Sequence, residues 1–336
     1  MKFAAREQIT IAQGGGGTAS QELIHDVFLR HFETNETPDA AVLAFPAGGS
    51  LAFTTDSFVV SPHFFLGGDI GKLAVCGTIN DLTCVGAQPL YLSCGFIIEE
   101  GFPMEALDRI VKSMAATAKI AGVKVVCGDT KVVPKGHCDG IFINTAGVGF
   151  VADGMRISPA NAQVGDAIIL TGYPGEHAAA IATARHELGL SGDLFSDCAP
   201  LNRMIAKILT EVPIHVMRDP TRGGVAASCN EIAHDSHVGI LLDETAIVIP
   251  KGVGAICALL GYDPLYMANE GKMLVILPAE HAQRAVAILK TTPEGRNAAI
   301  IGRVVSDHPE KVVLQTEAGG KRLIDMPYGE QLPRIC

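Results

Sequence analysis

Four aspartates stand where carboxylates are rarely left without purpose: Asp56 in FTTDSFV, Asp81 in TINDLTCVGA, Asp129 in VCGDTKVV and Asp219 in MRDPTRGGV. Charged residues seldom occupy apolar strands or buried helices unless they are paired or bound to a metal, and hard oxygen ligands suit Mg²⁺ bridging nucleotide phosphates. Any one of them reads equally well as a satisfied cap or turn; four together predict a metal–nucleotide site. Gly14, Gly15, Gly16 and Gly17 precede a helical pattern, so their backbone N–H groups can approach an anion. A flexible loop and a loose dinucleotide fingerprint, Gly14-x-Gly16-x-x-Ala19, are the competing readings, the second weakened because no clear βαβ unit follows. A Walker A loop is missing, since Gly271-Lys272 is followed by Met273. Lys72 and Lys131 are either phosphate-neutralising cations or solvated surface charges. Lys131 favours the first reading, two residues after Asp129 and so on the same side of a strand. Thr221 to Gly224 add backbone donors at the start of a helix.

Cys336 is the other chemical feature, a thiol on the final residue after Leu332-Pro333-Arg334-Ile335. No packing role explains it there, so it is expected to be accessible, and it does not stand fourth from the end as prenylation requires. Pro333 stiffens the arm, and eight extended steps from Tyr328 give it a reach of roughly 28 Å, enough to visit two places. An incidental cysteine is the alternative. The other eight cysteines form no C-x-x-C pair, which argues against zinc sites and a disulfide framework. Cys76, Cys84, Cys94 and Cys127 lie in apolar runs and are expected to be buried.

The elements that must carry these groups follow from periodicity. Helices are predicted over Ser20–Phe32, with Ser20 as N-cap, over Ile70–Val85 with Lys72, Asn80 and Asp81 on it, and over Met104–Ala121 ended by Gly122. Strands are predicted over Ser50–Val60, Leu90–Ile98, Val123–Val133 and Ile141–Val151. After a polar stretch around Asp153–Gly165, VGDAIILTG opens a second unit. It contains a helix from Gly175 to Leu188, a mobile loop from Gly189 to Ala199, a helix to Thr210, the MRDPTRGG motif with the helix after it, and the strands GILLDE, MLVILP and IIGRVV. Val312–Leu323 is the last ordered piece, and the residues beyond it read as an extended tail.

The 336 residues carry 48% apolar and 18% charged side chains, a balance that suits two packed domains. A net charge of −10 argues against nucleic acid as a partner. Arg6 and Glu7 interrupt any export signal, and no apolar run is long enough to span a bilayer. A cytoplasmic location without membrane contact is expected.

The stretch MKFAAREQIT with the glycine run, together with FTTDSFVV, GGDIGKLAVCGTINDL, YLSCGFIIEEG, CGDTKVV, FINTAG, MRDPTRGGV, ANEGKMLV and the terminal PRIC, resembles the HypE family of hydrogenase maturation factors along the whole chain. That family lies in the aminoimidazole ribonucleotide synthetase-like ATP-binding superfamily, with selenophosphate synthetase and thiamine monophosphate kinase. The resemblance implies a two-domain α/β (α+β) fold. Residues 1–155 would bind ATP and pair their sheets across a homodimer, 156–324 would form a C-terminal α/β domain, and 325–336 a mobile tail carrying Cys336. It also implies that a carbamoyltransferase, HypF, loads Cys336. ATP-dependent dehydration of the carbamoyl group would then yield a protein thiocyanate, whose cyanide passes to a HypC–HypD scaffold for the iron of [NiFe]-hydrogenase. By matching motifs, Mg²⁺ falls to Asp56, Asp81 and Asp129; ATP to Gly14, Gly15, Gly16, Gly17, Lys72, Asn80, Thr130, Asp219 and Thr221; and catalysis to Cys336, Lys131 and Glu270. Two departures from the family pattern are Glu176 before His177, where Asp is commoner, and four glycines where a serine often interrupts the run. The rival readings are a small-molecule kinase or synthetase of the same superfamily and a thiol carrier without catalysis.

Overall fold

The structure, a computed structural model, describes residues 8–15, 17–33, 40–185, 194–329, 332 and 334–336. The expectations placed on Arg6, Glu7, Gly16, Pro333 and the stretch 186–193 lie outside them. A 3₁₀ turn, Ile11–Gly14, leads into α1 (Thr18–Leu23), a π-helical stretch (Ile24–Leu29) and α2 (Arg30–Phe32). Gly17 rather than Ser20 precedes this helix; Ser20 lies inside it and donates its hydroxyl to the Gln13 carbonyl at 2.6 Å.

The first domain then runs β1 (Gly49–Phe58), β2 (Phe64–Phe65), β3 (Gly68–Asp69), α3 (Ile70–Cys84), β4 (Gln88–Glu99), α4 (Met104–Ala121), β5 (Lys124–Val133) and β6 (Ile141–Ala152). Its main sheet has the order β1-β6-β4-β5, with only β4 and β5 parallel. Alternation along β1 sets the two faces. Thr54, Asp56 and Phe58 point toward α3, whereas Leu51 and Phe53, 58% and 66% exposed, lie on an open face. On β5 the register slips: Leu92 faces Val125 but Ser93 faces Cys127, which leaves Val126 as an extra residue.

The second domain is built on a seven-stranded sheet ordered β13-β12-β9-β11-β7-β10-β8. Its strands are β7 (Asp166–Leu170), β8 (Val216–Arg218), β9 (Gly239–Asp243), β10 (Leu274–Pro278), β11 (Ala299–Val305), β12 (Val312–Gln315) and β13 (Lys321–Ile324). The helices between them are α5 (Glu176–Ala184), α6 (Asn202–Leu209), α7 (Gly224–Asp235), α8 (Lys251–Leu260) and α9 (Ala279–Leu289). Residues of α5 and α8 share one apolar cluster with α3, α4 and the first sheet. No helix among the described residues is long and apolar enough to cross a membrane.

The pivot is α3. Twelve of its fifteen residues are buried, so it is apolar on every side, as befits a helix enclosed by one sheet and a second domain. Asp69 caps it, accepting the N–H groups of Gly71 and Lys72 at 2.8 and 2.9 Å. Gly71 lets α3 and α4 approach closely: a Cβ there would meet the Ile110 carbonyl oxygen at 2.5 Å and Met114 Cγ at 2.7 Å. We expect Gly71→Ala to destabilise the chain in spite of alanine's better helix propensity. Overpacking costs about 1 to 3 kcal/mol against a gain of about 1 kcal/mol, so a net loss of up to about 2 kcal/mol should appear in chemical denaturation.

Candidate active site

Three of the aspartates converge on the buried side of the first sheet. Asp56 projects from β1 and Asp81 from α3, where Asp81 accepts the Thr54 hydroxyl at 3.0 Å. The second domain brings β8 against α3, and with it Asp219, whose Oδ1 accepts the Cys84 thiol at 3.4 Å. Burial and the neighbouring Asp219 push the Asp81 carboxyl up to about 7, and Asp56 adds to the shift. Asp56 and Asp219 are also raised, each chiefly by burial. Arg218 offsets little of this charge, because it pairs with Glu231 at 2.6 Å.

A second group lies on the same seam between the domains. Asp197 accepts the N–H groups of Glu270 and Gly271, both at 3.1 Å, and pairs with Lys272 at 3.1 Å; Lys272 also meets Glu176 at 3.0 Å. Burial alone would raise Asp197, but Lys272 and the N–H donors hold it below its ordinary value. Gly271 is fixed by this contact, since a Cβ would stand 1.8 Å from the Asp197 carbonyl oxygen. Asn80 spends its whole side-chain amide here, donating to the Ala199 carbonyl at 3.1 Å and accepting from Leu201 N–H at 2.9 Å. Its expected contact with a nucleotide is therefore replaced by a staple between domains. Held in this frame, Glu270 is 3% exposed, and its Oε1 has no protein partner. Burial, then Cys198, Asp219, Asp197 and Asp56, drive its carboxyl well above the ordinary range.

Residues 334–336 are seated against the first domain in this structure. Val59 N–H donates to the Cys336 carbonyl at 3.0 Å, and Ser61 N–H to that of Arg334 at 3.2 Å. Ile335 is 5% exposed, and Cys336 is half-buried against the shared apolar cluster. Cys336 thus lies beside Val59, three strand residues or roughly 10 Å along the chain from Asp56.

Other expected site residues are not gathered by one chain. Strand register places Asp56, Thr145, Cys94 and Gly128 on one side of the sheet, and Ser57, Asn144, Gly95 and Asp129 on the other. Asp129 is therefore separated from Asp56 and Asp81, correcting the predicted metal trio. It pairs with Lys131 at 2.7 Å on the open face, where both side chains are more than half exposed. That salt bridge lowers Asp129, and with Lys131 exposed on this face while Glu270 is buried, the expected proton-transfer pair is not brought together within one chain. Cys127 shares the face and is exposed, against the expected burial, whereas Cys76 and Cys94 are buried and Cys84 is partly so. Gly14 packs on β5 at Val132, beside Thr130 and Lys131; Gly15 and Gly17 are exposed. Lys72 donates to the Gly67 carbonyl at 2.7 Å. Thr221 closes the turn from Asp219 into α7. The expected mobile loop is, over 194–199, partly buried structure: Ser196 N–H bonds the Leu66 carbonyl at 2.8 Å, and the Asp197 side chain is 1% exposed.

Sequence reasoning did not reach Asp197, Lys272, Arg185 or the role of His177. The available clues were ionisable residues inside apolar stretches, FSDCAP, NEGKMLVIL and GEHAAAIA. Their donor chemistry fits the implied metal in part. Asp56, Asp81 and Asp219 are hard oxygen donors whose crowding calls for a cation, although no three His, Cys, Asp or Glu side chains among the described residues form a ready-made cage.

Comparison with known proteins agrees with this architecture. Residues 37–151 match the family model for the N-terminal domain of AIR synthase related proteins, and 163–315 that for the C-terminal domain. The chain is 47% identical to carbamoyl dehydratase HypE of Rhodobacter capsulatus, over 98% of each chain. A solved structure of hydrogenase maturation protein HypE in complex with ATP superposes with a TM-score of 0.93 at 49% identity, covering 97% of this chain and 99% of that one. A HypE–HypF complex structure matches at a TM-score of 0.80 and 46% identity, over 93% of this chain and all of that one.

The buried Glu270 carboxyl carries a stability signature. With its folded pKa raised, its contribution is complete below its unfolded pKa, near 4.5, and is lost as pH rises toward the folded value. Glu270→Gln should therefore be more stable than the parent above neutral pH, by on the order of 2 kcal/mol, with the difference closing near pH 4. Urea denaturation at several pH values measures it.

Proposed function

Because the chain belongs to the AIR synthase related family, and within it to the HypE proteins of hydrogenase maturation, we propose that it is a carbamoyl dehydratase acting on a carbamoyl group carried by Cys336. The observation that carries this reading is the seat of residues 334–336 along Val59–Ser61, next to the strand that bears Asp56. A relative's structure with ATP and another with HypF support the nucleotide and the loading partner.

The chemistry asks for three things. A thiocarbamate oxygen is a poor leaving group; transfer of the ATP γ-phosphoryl to it, releasing ADP, turns it into phosphate. Two protons must leave the nitrogen as the C–O bond breaks, so that C≡N forms and phosphate departs. Glu270 suits one of these transfers: it is buried, backbone-locked and unpartnered at Oε1, and burial raises its pKa above the ordinary carboxylate range, which makes the carboxylate a stronger base. Mg²⁺, when bound, would be held by Asp56, Asp81 and Asp219 and would screen phosphate charge.

Asp129 and Lys131 can reach a reactant only across the open face of the first sheet. We take a second copy of the chain as its occupant, because Leu51, Phe53 and Ile97 are large, apolar and 58%, 66% and 46% exposed there. Delivery of cyanide to HypC–HypD and a cytoplasmic setting complete the reading; nine cysteines without a disulfide support a reducing compartment.

Intact-mass spectrometry tests the reaction. Incubation with HypF, carbamoyl phosphate and ATP should add one carbamoyl group at Cys336, and turnover with ATP should then remove one water from that adduct. Asp81→Ala should be loaded normally yet lose water at least about a hundredfold more slowly. Unchanged dehydration in that variant, or loading at another cysteine, overturns the assignment.

A further inference from the structure

Residues 334–336 are held by their main chain, and half of the grip comes from a helix of the second domain. The Arg334 carbonyl accepts from Ser61 N–H and from Arg185 Nη2 at 2.9 Å; the Ile335 carbonyl accepts from His177 Nε2 at 2.7 Å; the Cys336 carbonyl accepts from Val59 N–H. All three carbonyls have protein donors, and none of these bonds involves a side chain of the segment. Arg185 also donates from Nε to the Ser61 carbonyl at 3.0 Å, so it ties the same strand end that receives the segment.

The tautomer of His177 follows from its partners. A carbonyl can only accept, so Nε2 carries the hydrogen. Ser196 Oγ accepts Cys198 N–H at 3.1 Å and lies 2.7 Å from His177 Nδ1. With the ring neutral, Ser196 donates its hydroxyl hydrogen to Nδ1 and fixes the orientation of Nε2–H. The edge of Phe65, 5.5 Å away and nearly perpendicular, packs against the imidazole. A fully buried histidine in an alanine-rich helix thus has one ring nitrogen anchored and the other pointed at the segment that carries the thiol.

We propose that His177 and Arg185 are positioning residues for Cys336: together they latch the carbonyls of Ile335 and Arg334 and set the thiol beside Val59. The latch reads backbone, so it holds the segment whatever group the sulfur carries. That the sulfur is the reacting atom rests on the function proposed above; the latch itself does not.

The test uses the full chain and the rate at which iodoacetamide alkylates each cysteine, followed by peptide mass mapping. His177→Ala and Arg185→Ala should each speed alkylation of Cys336 about tenfold, the equivalent of one lost buried hydrogen bond, while Cys76 and Cys229 stay protected. His177→Gln keeps an N–H donor and should remain within about twofold of the parent. The latch is refuted by an unchanged Cys336 rate in both alanine variants. It is equally refuted by a glutamine variant as fast as the alanine one, or by a common acceleration of all cysteines, which would make His177 a packing residue. Carbamoylated parent chain given ATP runs alongside: loss of water there with no latch effect sinks only the latch, and a latch effect without loss of water sinks only the dehydratase reading.

Discussion

Crowded negative charge at the seam between the two domains governs this protein. Asp56, Asp81, Asp219 and Glu270 come from four different elements and meet where low dielectric strengthens their repulsion. Two nearby cations are committed elsewhere, Lys272 to Asp197 and Glu176 and Arg218 to Glu231, and Arg222 offsets only part of the rise at Asp56. An arrangement of this kind costs folding free energy and is kept by the surrounding packing: α3 enclosed on all sides, Asn80 stapling the domains and Asp197 gripping the backbone of residues 270 and 271. Under the function proposed above, the same unfavourable charge would favour a metal there, with the phosphates whose charge the metal would balance.

Against this rigid frame the thiol-bearing segment is an added strand end. Its hydrogen bonds repeat the logic of β-strand addition, in which main-chain pairing supplies the hold and a single pocketed side chain, here Ile335, supplies fit. Arg334 contributes from outside, donating to the Val59 carbonyl at 3.0 Å and pairing with Asp139. The segment therefore touches both domains at once.

Much of this was legible in the residues. Aspartates inside apolar runs marked the seam, and the strands and helices around them followed from periodicities of two and 3.6. What stayed hidden depended on partners distant in sequence. The docking of 334–336 is invisible because backbone groups of 59 and 61 and donors at 177 and 185 create it. Asn80 read as a ligand because its use by Ala199 and Leu201 exists only once the domains meet. Asp129 was grouped with Asp56 because composition says nothing about which side of a sheet a residue faces. Asp197 was hidden in a stretch whose glycines and polar residues mimic a loose loop, although its carboxylate is among the most enclosed in the chain.

The extra residue on β5 has a further meaning. Strand parity is a reading frame: Val126 shifts it by one, and the chain downstream turns over. Were the same residues paired with β4 without that bulge, Gly128 and Thr130 would look outward while the carboxylate of Asp129 and the amine of Lys131 would be driven against the helices. Insertions and deletions along this strand are thus frameshifts of geometry, and the apportioning of charge between the two surfaces of the sheet hangs on a count rather than on any side chain's identity.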